Sequence, residues 1–220
     1  MSLVTFRFPI LRRPARNARD VRCKAMKVFV LRTFALLLGM CASLAMSPSP
    51  PPFRADKPAF VFRSAAYWHR WSQNDQHEFT PRGQEDLQKW TDMITINLYP
   101  DARDGDALAT TTNAVLENYK NHQAMVLKTD SVPRTPDRPA EHYIAVVFGQ
   151  PHFIEAAFAR FKLVEGGTGC SIVYSHRIYG EKVGDQMSTW LKDNGPAIEK
   201  ALMSWSDVPI PLPTSRRTAL

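Results

Sequence analysis

Three apolar runs separated by glycine-containing turns constrain the fold of this chain more than any other feature of its sequence. Residues 143–148, 153–164 and 171–179 are rich in β-branched and aromatic side chains, which favour strands. The intervening residues 149–151 and 166–169 contain the glycines that tight turns between antiparallel strands favour. Residues 141–179 are therefore predicted to form a three-stranded antiparallel meander.

Further segments add strands and helices to this meander. Short apolar runs predict strands at 60–62, 67–68, 94–99 and 125–127. Helical spacing of apolar residues predicts helices at about 82–92 and 106–121, and a last helix that starts at Gly184 and restarts at Pro196. With 44% hydrophobic residues in 220, the chain can bury one core. The predicted fold class is α+β, an antiparallel sheet with helices packed on one face.

The last helix carries an apolar stripe that should cover the sheet. Trp190, Leu191, Ile198 and Leu202 recur at intervals typical of one helix face. We expect this stripe to lie on the sheet face that carries Ala157, Ala159 and other small or apolar residues, because small residues let a helix approach closely. Trp190 is then expected to lie over those two alanines.

The N-terminal region has the order of a secretion signal. Lys27 and Arg32 precede a short apolar segment at 34–38, and residues 43–45 supply the small residues that a signal peptidase accepts. The apolar run is shorter than the ~20 residues of a membrane-spanning helix. We expect residues 26–45 to be a signal peptide and the protein to be periplasmic or extracellular. The alternative is an uncleaved signal that serves as a membrane anchor.

Composition sets the remaining boundaries. Residues 1–25 are Arg-rich and precede a Met-Lys pair typical of a secretory start, so we interpret them as a mis-assigned or disordered extension. Proline-rich residues 46–57 and 207–220 are predicted to be a linker and a tail. Residues 58–206 are then a single α+β domain.

The basic charge of the chain is confined to its N-terminal region. The formal net charge is +7, but nine of the 28 basic residues and one of the 21 acidic residues precede Met46. The remainder has 19 basic and 20 acidic residues and is nearly neutral. It therefore lacks the excess positive charge that binding to a phosphate backbone favours, and we expect no nucleic-acid partner.

The absence of common catalytic motifs favours a non-enzymatic protein. The sequence has no GxSxG, HExxH, P-loop or CxxC motif, and we expect no cofactor and no metal. Cys170 is the only cysteine after the predicted signal, so the exported domain cannot form an internal disulfide. A hydrolase that uses Cys170, or a histidine–acid pair, is the alternative function, since a cysteine nucleophile needs a nearby imidazole.

One face of the predicted meander is half-polar and is the candidate ligand-binding surface. Allowing one residue of slip in the pairing, the hairpins bring five side chains to that face: His142, Arg160, Lys162, Tyr174 and His176. Such a surface could take an anionic or aromatic ligand. We therefore expect a non-enzymatic binding or interaction module of the cell envelope, whose partner is a protein or another envelope component. Its identity and the oligomeric state do not follow from the sequence.

Overall fold

The computed structural model describes residues 57–210, which belong to one compact unit. The expected extension at 1–25 and signal at 26–45 lie outside the described residues, as do most of the linker and the tail beyond residue 210.

Eight strands form one sheet in which every neighbouring pair is antiparallel, in the order β1-β2-β3-β4-β8-β7-β6-β5. The strands are β1 Phe60–Phe62, β2 Ala65–Gln73, β3 Gln76–Thr80, β4 Asp92–Tyr99, β5 Met125–Val132, β6 Glu141–Gln150, β7 Phe153–Val164 and β8 Thr168–Tyr179. The predicted meander is confirmed as β6, β7 and β8. β4 pairs with β8 and so joins the N-terminal strands to the meander.

The predicted helix at 106–121 is confirmed as α1, Gly105–Asn121. Asp104 precedes it in an extended conformation, and its side chain accepts a hydrogen bond from the Ala107 backbone N–H at 2.8 Å. This is the N-cap that the acidic turn before the helix favours, because it satisfies one of the free N–H groups of the first turn.

The last helix, α2, runs without interruption from Gly184 to Ser204, so the predicted restart at Pro196 is wrong. Proline removes the hydrogen bond to the carbonyl of Lys192, four residues earlier. Both residues are solvent-exposed, so water can satisfy that carbonyl. Burial of Met187, Ile198 and Leu202 on the other side of α2 holds the helix continuous across the proline.

The predicted helix at 82–92 is also wrong, because side chains there satisfy the backbone in place of helical bonds. The Thr80 hydroxyl donates to the Gln84 carbonyl. The side-chain oxygen of Gln84 accepts from the backbone N–H groups of Thr91 and Asp92, both at 2.8 Å. These bonds fix residues 81–91 as turns that lead into β4.

The expectation that both helices pack on one sheet face is not confirmed. Trp190 of α2 contacts Phe158 and His176, which alternate along β7 and β8 onto one side that we name the α2 face. Tyr119 of α1 packs edge-on against Phe148 of β6 with ring centroids 5.5 Å apart. Phe148 alternates onto the opposite side, the α1 face.

The expected cover of the alanines is therefore wrong. Ala157 and Ala159 pair with Val146 and Ile144, which share the α1 face with Phe148. Trp190 lies over His176 and not over those alanines. The α2 face is instead the one that carries Arg160, Tyr174 and His176, which were predicted to face a ligand.

Candidate functional site

The five predicted ligand-binding residues do not form one site. Arg160, Lys162, Tyr174 and His176 share the α2 face, but His142 points to the α1 face, because it pairs with Phe161 of β7. With the slip that it allowed, the predicted pairing of β6 with β7 differs from the observed one by an odd number of residues. A slip of one residue moves every side chain of a strand to the other face.

Tyr174 and His176 are held together by Asp92 at the start of β4. The Tyr174 hydroxyl donates to Asp92 Oδ1 at 2.6 Å, and His176 Nδ1 lies 2.9 Å from the same oxygen. Burial alone would raise the pKa of the Asp92 carboxyl, but the hydrogen bonds from His176 and Tyr174 outweigh it and hold that pKa below its ordinary value. An ionised carboxylate only accepts, so His176 carries its proton on Nδ1.

Trp190 covers this cluster from α2. Its indole stacks on the His176 ring with centroids 3.9 Å apart and planes within 2° of parallel. His176 is only 9% exposed as a result. The cluster therefore fastens the first half of α2 to the sheet.

Arg160 is also committed to the fold. Its guanidinium donates to both carboxylate oxygens of Glu141, at 2.7 and 2.9 Å, in the two-pronged geometry that suits a carboxylate. A third nitrogen donates to the carbonyls of Leu202 and Trp205, at 2.9 and 2.8 Å. Both carbonyls lie at the end of α2, where helical N–H donors become few. Arg160 thus fastens the last turn of α2 to the sheet. Its guanidinium is occupied by these contacts and does not face a ligand.

Lys162 lies further along the same face of β7, half-buried and opposite Cys170 of β8. Cys170 itself is completely buried among apolar side chains of the core. Burial raises the pKa of its thiol to about 12. The thiol stays protonated at neutral pH, which is the wrong state for a nucleophile.

His142 lies beside a polar groove between α1 and the β5–β6 pair. Its Nδ1 is 2.8 Å from the Ser131 hydroxyl, and partial burial lowers the pKa of the imidazole. Asn113 and Thr129 also line this groove, whose volume is about 560 Å³. His142 is therefore neutral at physiological pH and separated by the sheet from the other four predicted residues.

A second groove, which the sequence did not predict, lies between α2 and the sheet. We name it the α2 groove. Its volume is about 540 Å³. Its lining residues are Leu127, Lys128, Tyr143, Ala145, Phe158, Leu191, Gly195, Pro196, Glu199, Lys200 and Met203.

Small residues on facing elements leave this space empty. Ala145 on β6 and Gly195 on α2 both lack bulk, and a Cβ added at Gly195 would come no closer than 3.9 Å to the Phe158 ring. The neighbouring edge strand β5 is uncovered, with Leu127 42% exposed. The small residues Ala145 and Gly195 are the only sign of this groove in the sequence. That they face each other is visible only once α2 is packed on β6.

The rim of the α2 groove carries charge. Lys128 Nζ lies 2.7 Å from Glu199 and 3.4 Å from Asp130. The hydrogen bond to Glu199 is the main reason that the pKa of Lys128 is raised. Lys200 is exposed at the same rim. The groove is thus apolar at its floor and charged at its mouth.

Two further features are absent from residues 57–210. No group of three or more His, Cys, Asp or Glu side chains there could hold a metal ion. In the same residues, neither helix has the length and apolar character needed to cross a membrane.

Comparisons with known proteins give a family and a distant structural likeness. A protein-family model matches residues 58–204, more than half of the chain. A search of curated proteins finds no match. Among solved structures, the crystal structure of human STARD10 is similar at 11% identity, over 63% of this chain and 74% of that chain, with a TM-score of 0.27. A likeness at that level carries no argument about function.

Proposed function

We propose that this chain, which belongs to the family whose model matches residues 58–204, is an exported, non-enzymatic binding module of the cell envelope. We assign its ligand to the α2 groove. The observation that carries the proposal is the empty, mostly apolar space between α2 and β6–β7. Ligand sites are ordinarily concave and mostly apolar with a few polar groups, and the α2 groove has this character.

The lining of the groove favours an amphipathic ligand with an apolar body and an anionic end. Ala145, Phe158 and Leu191 offer an apolar floor, whose burial against a ligand is worth about 25 cal/mol per Å². Lys200 is a cation at the rim with no partner among the described residues. Glu199 offsets the charge of Lys128 but not that of Lys200.

Export is supported by the signal-like residues 26–45 alone. If that segment is removed, the exported chain begins near Met46, and intact-mass measurement of protein from the periplasm or the medium will show it. Recovery of soluble chain that still contains residues 27–45 would contradict cleavage.

Filling the groove tests the binding proposal. The probe is 1-anilinonaphthalene-8-sulfonate, which has an aromatic apolar body and a sulfonate. Gly195→Leu directs a side chain into the groove, and Ala197→Leu adds the same bulk at an exposed position of α2 that does not line it. We expect Gly195→Leu to weaken probe binding at least about tenfold, or ~1.4 kcal/mol, while Ala197→Leu leaves it unchanged.

Stability separates loss of the groove from loss of the fold. Glycine inside a helix costs about 0.5–1 kcal/mol relative to good helix formers, so Gly195→Leu should unfold no more easily than the natural chain. Equal probe binding by both leucine variants would refute the assignment of the groove.

Charge reversal tests the anionic end of the ligand. Lys200 lines the rim, whereas Lys192 is exposed on the same helix outside the groove. Lys200→Glu should weaken binding of the sulfonate probe more than Lys192→Glu does, and the difference should shrink as salt is added. An equal effect of both reversals would show that general charge, not the rim, governs binding.

A hydrolase remains a second candidate because of one observation, the 2.9 Å contact between His176 Nδ1 and Asp92. A histidine held in this way by a carboxylate can act as a general base through its other nitrogen. Hydrolysis of p-nitrophenyl acetate above the rate of free imidazole, abolished by His176→Gln with the fold intact, would favour this function over the binding module.

A further inference from the structure

The second open feature of the molecule is the edge strand β5. Seven of its eight residues, Met125 to Ser131, are exposed. Its outer backbone edge has no strand or helix of the described chain against it, since β5 is the last strand of the sheet. Met125 is 60% and Val126 37% exposed, although edge strands of soluble proteins ordinarily avoid apolar residues.

The usual protections of an edge are weak here. Lys128 is the one lysine in the strand, but its charge is offset by Glu199 and Asp130. A bulge between Val126 and Lys128 disturbs the first part of the strand, whereas residues 128–132 pair regularly with β6. The second half of β5 therefore presents a regular, unpaired backbone edge.

The sequence of β5 is self-complementary about Thr129. We propose that β5 pairs antiparallel with β5 of a second copy of this chain, with the two-fold axis at Thr129. In antiparallel pairing about that axis, Lys128 lies opposite Asp130 of the partner subunit, and the reverse pair forms by symmetry.

Other two-fold registers lose this match. An axis at Lys128 places the two lysines opposite each other, and an axis at Asp130 does the same for the aspartates; like charges directly opposite are destabilising. An axis between Lys128 and Thr129 places Leu127 opposite Asp130 of the partner subunit. Only the register centred on Thr129 places opposite charges opposite each other.

The paired copies form one continuous sheet of two eight-stranded halves. Residues opposite each other in an antiparallel pair point to the same side, so both α2 faces lie on one side. Only a few residues of each copy meet, which is less than the area of about 1,200–2,000 Å² typical of a stable complex. The association is therefore weak and concentration-dependent.

Disulfide trapping tests the register. Thr129→Cys places two thiols directly opposite across the axis, within the Cα separation of about 4.4–6.8 Å that a disulfide needs. Ser131→Cys places them about four residues apart along the strands, ~14 Å. Both are made with Cys23 and Cys41 changed to Ser, and Cys170 is completely buried. We expect Thr129→Cys to form disulfide-linked dimer at least about tenfold faster under mild oxidation.

Sedimentation velocity on chains without added cysteine tests the association itself. The weight-average sedimentation coefficient should rise with concentration for the natural chain and less for Asp130→Lys, which places lysines opposite each other. Combining Asp130→Lys with Lys128→Asp should restore the rise. Equal crosslinking at 129 and 131, or a coefficient that does not change with concentration, would overturn the proposal. Neither result bears on probe binding in the α2 groove.

Discussion

Two parts of the α2 face of the sheet differ in how closely α2 packs against them. Over β7 and β8, the helix meets Arg160 and His176, and both side chains are bonded and nearly buried. Over β5 and β6, the helix meets Ala145 and an exposed edge strand, and a groove remains. The same helix therefore seals one half of the sheet and leaves the other half open.

This difference shows that polar residue type is a poor guide to function in this domain. Arginine, tyrosine and histidine, which are typical of binding sites, are used to fasten α2. Buried polar groups must be hydrogen-bonded, and the contacts that satisfy them leave little capacity for a ligand. The open half is marked instead by missing bulk, at Ala145 and Gly195.

The closed half should be the more sensitive to mutation, and Arg160→Ala should have the largest effect. It leaves the buried Glu141 carboxylate unpaired and removes the guanidinium donor from two carbonyls at the end of α2. Loss of one partner of a buried pair costs about 3–5 kcal/mol. Chemical denaturation measures this loss, and Lys162→Ala, on the same strand, is the control. A loss no larger than that of the control would mean that α2 is not fastened at Arg160.

Asp92→Asn should have an intermediate, pH-dependent effect. The pKa of Asp92 is lower in the folded chain than its ordinary value of about 3.9. The ionised carboxylate therefore stabilises the fold at pH values above that ordinary pKa. This stabilisation is lost as the pH falls through the lower pKa of the folded chain. At neutral pH the change should cost about 1–2 kcal/mol, because the hydrogen bonds from Tyr174 and His176 lose their charged acceptor.

Below pH 4, the free energy of unfolding of the natural chain should fall towards that of Asp92→Asn. Urea denaturation from pH 7 to pH 2.5 checks this convergence. A constant difference between the two chains over that range would contradict the lowered pKa.

Lys128→Ala, in the open half, should have the smallest effect on stability. Both of its ion pairs are solvent-exposed and screened by salt. We expect a thermal midpoint within experimental error of that of the natural chain, measured at physiological ionic strength. A marked loss would show that the rim of the α2 groove is structural, and would remove the contrast between the two halves.

Much of the local structure could be predicted from the sequence. The three strands of the meander and α1 follow from apolar periodicity and turn residues, which act over a few neighbours. The failures at 82–92 and at Pro196 have a common cause. Helical periodicity and proline are local signals, and they were outweighed by the Gln84 side-chain bonds in one case and by core burial of Ile198 and Leu202 in the other.

The candidate site could be predicted only in part. Tyr174 and His176 were placed on one face correctly, because they lie two residues apart on one strand. Their partners Asp92 and Trp190 lie in β4 and α2, far away along the chain. Residue spacing along the sequence does not indicate that these elements come into contact. The α2 groove also depends on long-range contacts between strands and α2.

The sequence by itself determined the three strands of the meander and α1, since alternation and helical spacing are properties of neighbouring residues. The tertiary structure alone decided which face each helix covers. A slip of one residue in β6 exchanges the two faces without changing the pattern of any strand, so the patterns cannot distinguish them. The choice is made where Trp190 meets His176 and Tyr119 meets Phe148, contacts between elements that only the folded chain brings together.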